Sequence, residues 1–446
     1  MVYNPVHNRK KGAHAMIATN ITRDEQGALF FAGQSVAALA EQYGTPLYLM
    51  DEERIRLNCA MYRNALHEAL GANALALYAS KAASFKHIYR ITDEEGLGVD
   101  AVSPGEIHTA VAAGVDPEKI FFHGDGKTDT DIRYAMAQRV GYFVVDNVSE
   151  LLAVNAEARR VERRQKVLLR LTPGIDPHTY HEVNTGSVDV KFGAAIETGQ
   201  AFAFVQEALE MDHLDLQGLH CHVGSEVFSE DVFERSIDVM VAFMRKLKVR
   251  LGFTTRMLDV GGGYGVRYVD SDPEIDIPAR IADVAAHLKK RVEEAGLEMP
   301  FFLMEPGRSI VADAGMTVYT VVNVKRIPGF KSYVTIDGGM TDNPRYCLYG
   351  ARYTAMPVDP DDGRKEIFDL AGRCCENGDI IQPSLLLPIN ISRGDYLAVC
   401  TTGAYNYAMA SNYNRYGKPP IVMLNKGESY VAVRRQTIED VCAQDV

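Results

Sequence analysis

Short, nearly continuous apolar runs recur along the first 310 residues, each followed by a segment whose apolar positions fall at helical spacing. ALALYASKA (74–82), GVDAVS (98–103), KIFFHG (119–124), GYFVVDN (141–147), KVLLRLTP (166–173), LQGLHCHVGS (216–225), RMLDVGGG (256–263) and PFFLMEPGR (300–308) read as strands buried on both faces. SPGEIHTAVAAG, NVSELLAVNAEARRVER and EIDIPARIADVAAHLKKRVEEAG are among the amphipathic helices between them. Eight such units predict a parallel (β/α)8 barrel over residues 46–310, with an open doubly wound sheet as the alternative. The barrel is favoured because each strand ends in polar residues or glycine, which would gather at one rim: Lys81, Asp100, His123, Asp146, Arg170, His222, Gly261 to Gly263 and Glu305.

The pattern differs on either side of this block. Residues 15–45 read as a β-hairpin, then a helix capped by Ser35, and PLYLMD (46–51) leads into a long helix. Beyond residue 310 the long helices stop, and MTVYTVVNVKRI, KSYVTIDGG, KEIFDLAG, DYLAVCTTGAY and IVMLNKGESYVAVRR predict a C-terminal β-sandwich or Greek-key barrel over 311–446. The hairpin strands are expected to join that domain, making it discontinuous. Residues 1–14 are basic with no apolar stretch behind them and are expected to be a disordered tail. The segment GIDPHTYHEVNTGSVDVKFG (174–193) is a candidate lid.

Composition narrows the function. A chain of 446 residues exceeds one ordinary core, so two domains are expected. A net charge of -12 argues against nucleic acid or an anionic membrane as partner and points to a small-molecule substrate. Seven irregularly spaced cysteines suggest neither a disulfide framework nor a zinc site, hence reduced thiols and a cytoplasmic location. No apolar run is long enough to cross a bilayer.

Lys81 follows an apolar strand, where loss of solvation would lower its pKa and expose an amine nucleophile; the plainer reading is a lysine marking where a strand meets water. Gly261 to Gly263 could cradle a phosphate or simply make a turn. His220 and His222 share one strand face and Cys221 takes the other. A metal on these histidines would need a third ligand, none stands out, and no metal is expected. His222 suits stacking on a flat ring, and His220 is left between a core role and a site role. An amine, a phosphate cradle, a flat aromatic and a carboxylate for a ring nitrogen are together what pyridoxal phosphate requires.

In order and spacing, YASKA, GLHCHVGS, DVGGGYG, MEPGR, DGGMTDNPRYCLYGARY, CCENGD and TGAYNYAMASNYN resemble the motifs of the alanine-racemase-like, fold-type III pyridoxal phosphate decarboxylases, from about residue 15 to the C-terminus. Within them the likeness is greatest to the branch that converts meso-2,6-diaminopimelate to L-lysine and carbon dioxide. The resemblance implies a cytoplasmic carboxy-lyase, a barrel followed by a β domain, and a head-to-tail homodimer with active sites shared between subunits. It makes Lys81 the lysine that carries the cofactor, His222 the stacking histidine and Glu305 the partner of the pyridine nitrogen. Ser225, Gly262, Gly263, Gly307, Arg308 and Tyr405 would hold the phosphate, and Cys375 would be the acid that protonates the product carbon. Arg308, Arg345, Tyr349, Glu376 and Tyr405 would bind substrate. Glu226, Asn377 and Asn406 depart from the family pattern of glutamine, serine and a small residue. They leave carboxynorspermidine, ornithine or arginine as alternative substrates; a catalytically silent binding homologue is the alternative of another class.

Overall fold

The computed structural model describes residues 16–175, 189–229 and 231–446. Eight parallel strands close on themselves. They are β5 (Ala74–Ala79), β6 (Gly98–Ala101), β7 (Ile120–Phe122), β8 (Tyr142–Val145), β9 (Gln165–Thr172), β11 (Leu214–His220), β12 (Met257–Asp259) and β13 (Phe301–Met304). They pair in that order; β13 meets β5 at Phe302↔Ala74 and β8 meets β9 at Val144↔Leu168, so no edge is left open. A short β10 (Ala194–Ala195) adds to β9 outside the ring. Each of the eight apolar runs is therefore a barrel strand, and the closed barrel rather than the open sheet is the architecture.

Side-chain alternation explains the packing. Leu77, Phe121, Val144, Leu168, Met257 and Leu303 point inward and fill the barrel. Neighbours such as Tyr78, Val99, Phe122 and Phe143 face outward against the helices. Each buried Leu here contributes about 2 kcal/mol. Local signals start and stop the helices. Ser35 Oγ accepts from Ala38 N–H, as expected, and Asp51 caps the helix Glu52–Leu70 through Arg54 N–H. The helix Pro104–Ala113 begins on Ser103 with proline at its first turn and ends at Gly114, whose φ of +104° is left-handed.

The second sheet contains nine strands. Those from the C-terminal half are β14 (Gly315–Arg326), β15 (Ser332–Ile336), β16 (Ala355–Pro357), β17 (Lys365–Ala371), β18 (Ile380–Pro388), β19 (Tyr396–Cys400), β20 (Ile421–Asn425) and β21 (Glu428–Val433). The ninth is β4 (Leu47–Asp51), antiparallel to β14 and parallel to β20. Here the structure corrects the domain assignment from sequence. The hairpin strands β1 (Ile21–Arg23) and β2 (Leu29–Phe31), with β3 (Gln34–Ser35), form a separate small sheet and do not enter the large one. They pack through Ile21, Leu29 and Phe31 onto Val318, Ala398 and Val422, with one backbone link from Leu29 N–H to Val358 O (2.9 Å). PLYLMD, assigned to the barrel side, supplies the inserted strand because both its faces are apolar: Leu47 and Leu49 face the hairpin cluster, Tyr48 and Met50 the barrel cluster. The tail 1–14, and residues 176–188 of the candidate lid, lie outside the described residues.

Candidate active site

At the C-terminal ends of the barrel strands lies a cavity of about 550 Å³, bordered on one side by Arg345, Tyr349, Tyr405 and Met409 from the second domain. Lys81 enters it from the short turn Ser80–Ala82 that follows β5. Two backbone bonds fix this turn: Ala79 N–H donates to Pro306 O (3.0 Å) and Tyr405 N–H to Ala82 O (2.8 Å), which ties the second domain to the lysine. The Lys81 side chain reaches open space inside the cavity. Its pKa corrects the expectation from sequence: burial lowers it, but Asp100, Tyr405 and Glu305 together outweigh burial and raise it above its usual value.

Glu305, just past β13, is the electrostatic centre. It is buried between two imidazoles, His123 Nε2 at 2.9 Å from Oε1 and His220 Nε2 at 3.3 Å from Oε2. Burial alone would raise its pKa, but His123 and His220 hold it well below the carboxylate range, so it is an anion. Burial and the Glu305 charge push neighbouring Asp259 the opposite way, well above that range. Desolvation brings His220 down to about 4. Burial, then Lys81 and Arg170, lowers His222 as well. Gly262 N–H donates to His222 Nδ1 (3.3 Å), which leaves the ring neutral with its proton on Nε2.

The glycines after β12 are required by space. A Cβ on Gly262 would sit 2.0 Å from Glu305 O, and one on Gly263, at φ +127°, 2.1 Å from Gly224 O. Gly307 begins the short helix Arg308–Val311 and packs against Ala79 and Ala82. Arg308 donates to Ser225 Oγ through Nη2 (2.9 Å) and to Tyr268 through Nη1 (2.6 Å), and lies over the Tyr405 ring. Arg345, also buried, donates to Tyr353 (2.7 Å) and stacks on Tyr268.

Lys81, His222, Ser225, Gly263, Glu305, Gly307, Arg308, Arg345, Tyr349 and Tyr405 all line this cavity, and Gly262 adjoins it through His222. Cys375 and Glu376 do not. They are exposed on the turn after β17, where Cys375 N–H donates to Asn414 Oδ1 (2.8 Å). Sequence reasoning placed His123, Asp100 and Arg170 at the rim without roles, and it missed Tyr268; their partners are distant in sequence, and only the strand-end position signalled the first three. His220 does have a carboxylate companion, Glu305, contributed by another strand. With His123 these atoms lie within 4.8 Å of one another, a spacing that could hold a metal ion.

A closed barrel with a lysine, an anionic carboxylate and a glycine cradle at one rim defines a pyridoxal-dependent enzyme. Residues 53–312 match the pyridoxal-binding domain of the pyridoxal-dependent decarboxylases, and the chain belongs to that family. It is 38% identical to the diaminopimelate decarboxylase of Bacillus subtilis over 95% of this chain and 96% of that one. The Staphylococcus aureus diaminopimelate decarboxylase is 37% identical over 95% and 98%. The crystal structure of diaminopimelate decarboxylase from M. jannaschii in complex with L-lysine superposes with a TM-score of 0.89, at 32% identity, over 96% of this chain and 98% of that one.

The residues present fit pyridoxal phosphate. Glu305, buried and held as an anion, lines the cavity and can accept from a ring N–H. Gly263 and Ser225 line the cavity, and Gly263 carries no side chain to cover its backbone there. Lys81 reaches into the same space.

Proposed function

We propose that this chain decarboxylates meso-2,6-diaminopimelate at one end, releasing carbon dioxide and leaving L-lysine. The observation that carries the reading is a pair of buried arginines, Arg308 and Arg345, lining the same cavity as Lys81 and Glu305. A simple diamine precursor needs no such pair, whereas a substrate with a second carboxylate does. When bound, pyridoxal phosphate supplies an electron-poor ring that accepts the electron pair left on carbon as carbon dioxide departs. Lys81 is the amine that holds it. Glu305, kept anionic by its two histidines, would pair with the ring nitrogen and favour its protonated form. His222, neutral and flat, would stack on the ring. The Ser225 hydroxyl and the backbone of Gly262, Gly263 and Gly307 would hold the phosphate, together with Arg308 and Tyr405. Arg308 and Arg345 hold the far carboxylate, Tyr349 adds a hydroxyl, and Glu376 takes the far amine. The Cys375 thiol gives its proton to the carbon that has lost carbon dioxide.

Cys375 and Glu376 are exposed and lie outside the cavity of their own chain, which supports a head-to-tail homodimer in which this turn of one protomer closes the cavity of the other. Seven free cysteines support a reducing, cytoplasmic setting. The direct test is carbon dioxide release from meso-diaminopimelate, ornithine, arginine and lysine offered separately. Release from meso-diaminopimelate alone is expected; preference for ornithine or arginine overturns the reading.

A further inference from the structure

Glu226 lies behind the two arginines. Its Oε1 is 2.9 Å from Arg308 Nη1 and 2.9 Å from Arg345 Nη2, and all three side chains are nearly buried, at 9%, 5% and 3% exposure. Arg308 and Arg345 line the cavity that holds Lys81, while Glu226 lines a neighbouring cavity beside Phe228 and Asp272. The carboxylate therefore meets the guanidinium groups from the side away from Lys81. Two guanidinium groups this close repel one another, and a single carboxylate bonded to both removes that repulsion while fixing their separation.

The backbone is arranged to put it there. Glu226 has φ +59°, a left-handed conformation that residues with side chains seldom adopt, and such outliers concentrate at functional sites. The next residue, Val227, is locked to the strand end carrying the glycines, by Val227 N–H to Gly263 O (2.8 Å) and Gly265 N–H to Val227 O (3.1 Å). One tie thus sets both the glycine cradle and the bridging carboxylate.

We propose that Glu226 is a positioning residue that bridges Arg308 and Arg345 and fixes their separation, so that they act as one clamp for a single carboxylate at the far end of the substrate. This rests on the reading that these arginines bind that carboxylate. L-Lysine retains the far carboxylate and cadaverine lacks it, so the two ligands separate the clamp from the rest of the site.

The test uses cofactor-loaded enzyme, with dissociation constants for L-lysine and cadaverine measured by calorimetry. Glu226→Ala should weaken L-lysine about tenfold and leave cadaverine within about twofold. It should also raise KM for meso-diaminopimelate about tenfold with kcat within about twofold. Glu226→Gln, whose carboxamide oxygen can still accept from both guanidinium groups, should stay within about threefold of wild type for L-lysine. The absorbance of the bound cofactor checks that each variant has an intact site. Wild-type L-lysine affinity in Glu226→Ala overturns the proposal, as does equal loss of cadaverine. A Glu226→Gln variant as weak as the alanine variant also overturns it, since bridging geometry would then not be what matters. Arg345→Ala serves as the separate control: if it weakens L-lysine and cadaverine equally, the reading of the arginines fails, whatever Glu226 does.

Discussion

Individual side chains at this rim do opposite things because their surroundings differ, and each difference is measurable. Lys81 is expected to be the lysine bonded to the cofactor: borohydride treatment followed by peptide mapping should place the label there, and a label elsewhere would falsify the assignment. Arg345→Ala should cut kcat/KM for meso-diaminopimelate about 30-fold or more, with cofactor absorbance retained, because a desolvated charge-assisted pair is worth roughly 2 to 5 kcal/mol. An unchanged kcat/KM would remove Arg345 from the substrate site. His220 gives a pH dependence. Folded, it stays neutral down to about pH 4, while in the unfolded chain it takes up a proton near pH 6.5. Stability from this group is present above that value and falls as pH drops from about 6.5 to 4. The thermal midpoint of His220→Gln should accordingly decline less steeply over that window than that of the wild type; equal slopes would contradict it. Lys81, Glu305 and the glycines were legible in the sequence because each stands in a contiguous motif at a strand end. The grip of His123 and His220 on Glu305 was not, since it joins three strands and depends on distances no spacing encodes. The Lys81 pKa was misjudged for the same reason: desolvation is visible in an apolar run, whereas Asp100 and Glu305 come from elsewhere in the ring.

Among the elements, the eight barrel strands were legible because burial on both faces writes an apolar run that alternating strands lack. β18 was not read as a strand: Pro383 interrupts it, and the proline is tolerated because β18 is the end strand of its sheet. β4 was read only as the lead into a helix and placed with the barrel, since nothing local reveals that its neighbours are β14 and β20. The loop after β12 carries its own prediction. Gly263→Ala should place a Cβ against the Gly224 carbonyl in a backbone conformation alanine resists, pulling apart the tie to Val227. Cofactor retention, followed by absorbance after gel filtration, should fall severalfold while the far-ultraviolet circular dichroism stays barrel-like. Full retention would mean that this loop can shift at little cost.

For the whole molecule, a shared active site predicts complementation. Inactive Lys81→Ala and Cys375→Ala chains, mixed under conditions that exchange subunits, should regain part of the wild-type rate, since one cavity in such a mixed dimer receives both a good lysine and a good cysteine. Fully exchanged yet inactive mixtures would argue that each chain works alone. The insertion of β4 between β14 and β20 also bears on how the protein is made. β4 leaves the ribosome ahead of every barrel strand, but both of its hydrogen-bonding neighbours emerge only after the last one. During synthesis a strand with both faces apolar must wait, unpaired, while the entire barrel is translated. A fragment stopped at residue 312, where the family match ends, would keep that strand and lose its partners. It should aggregate on size-exclusion chromatography where the full chain does not, which would make the barrel and its sheet separable on paper but not on the ribosome.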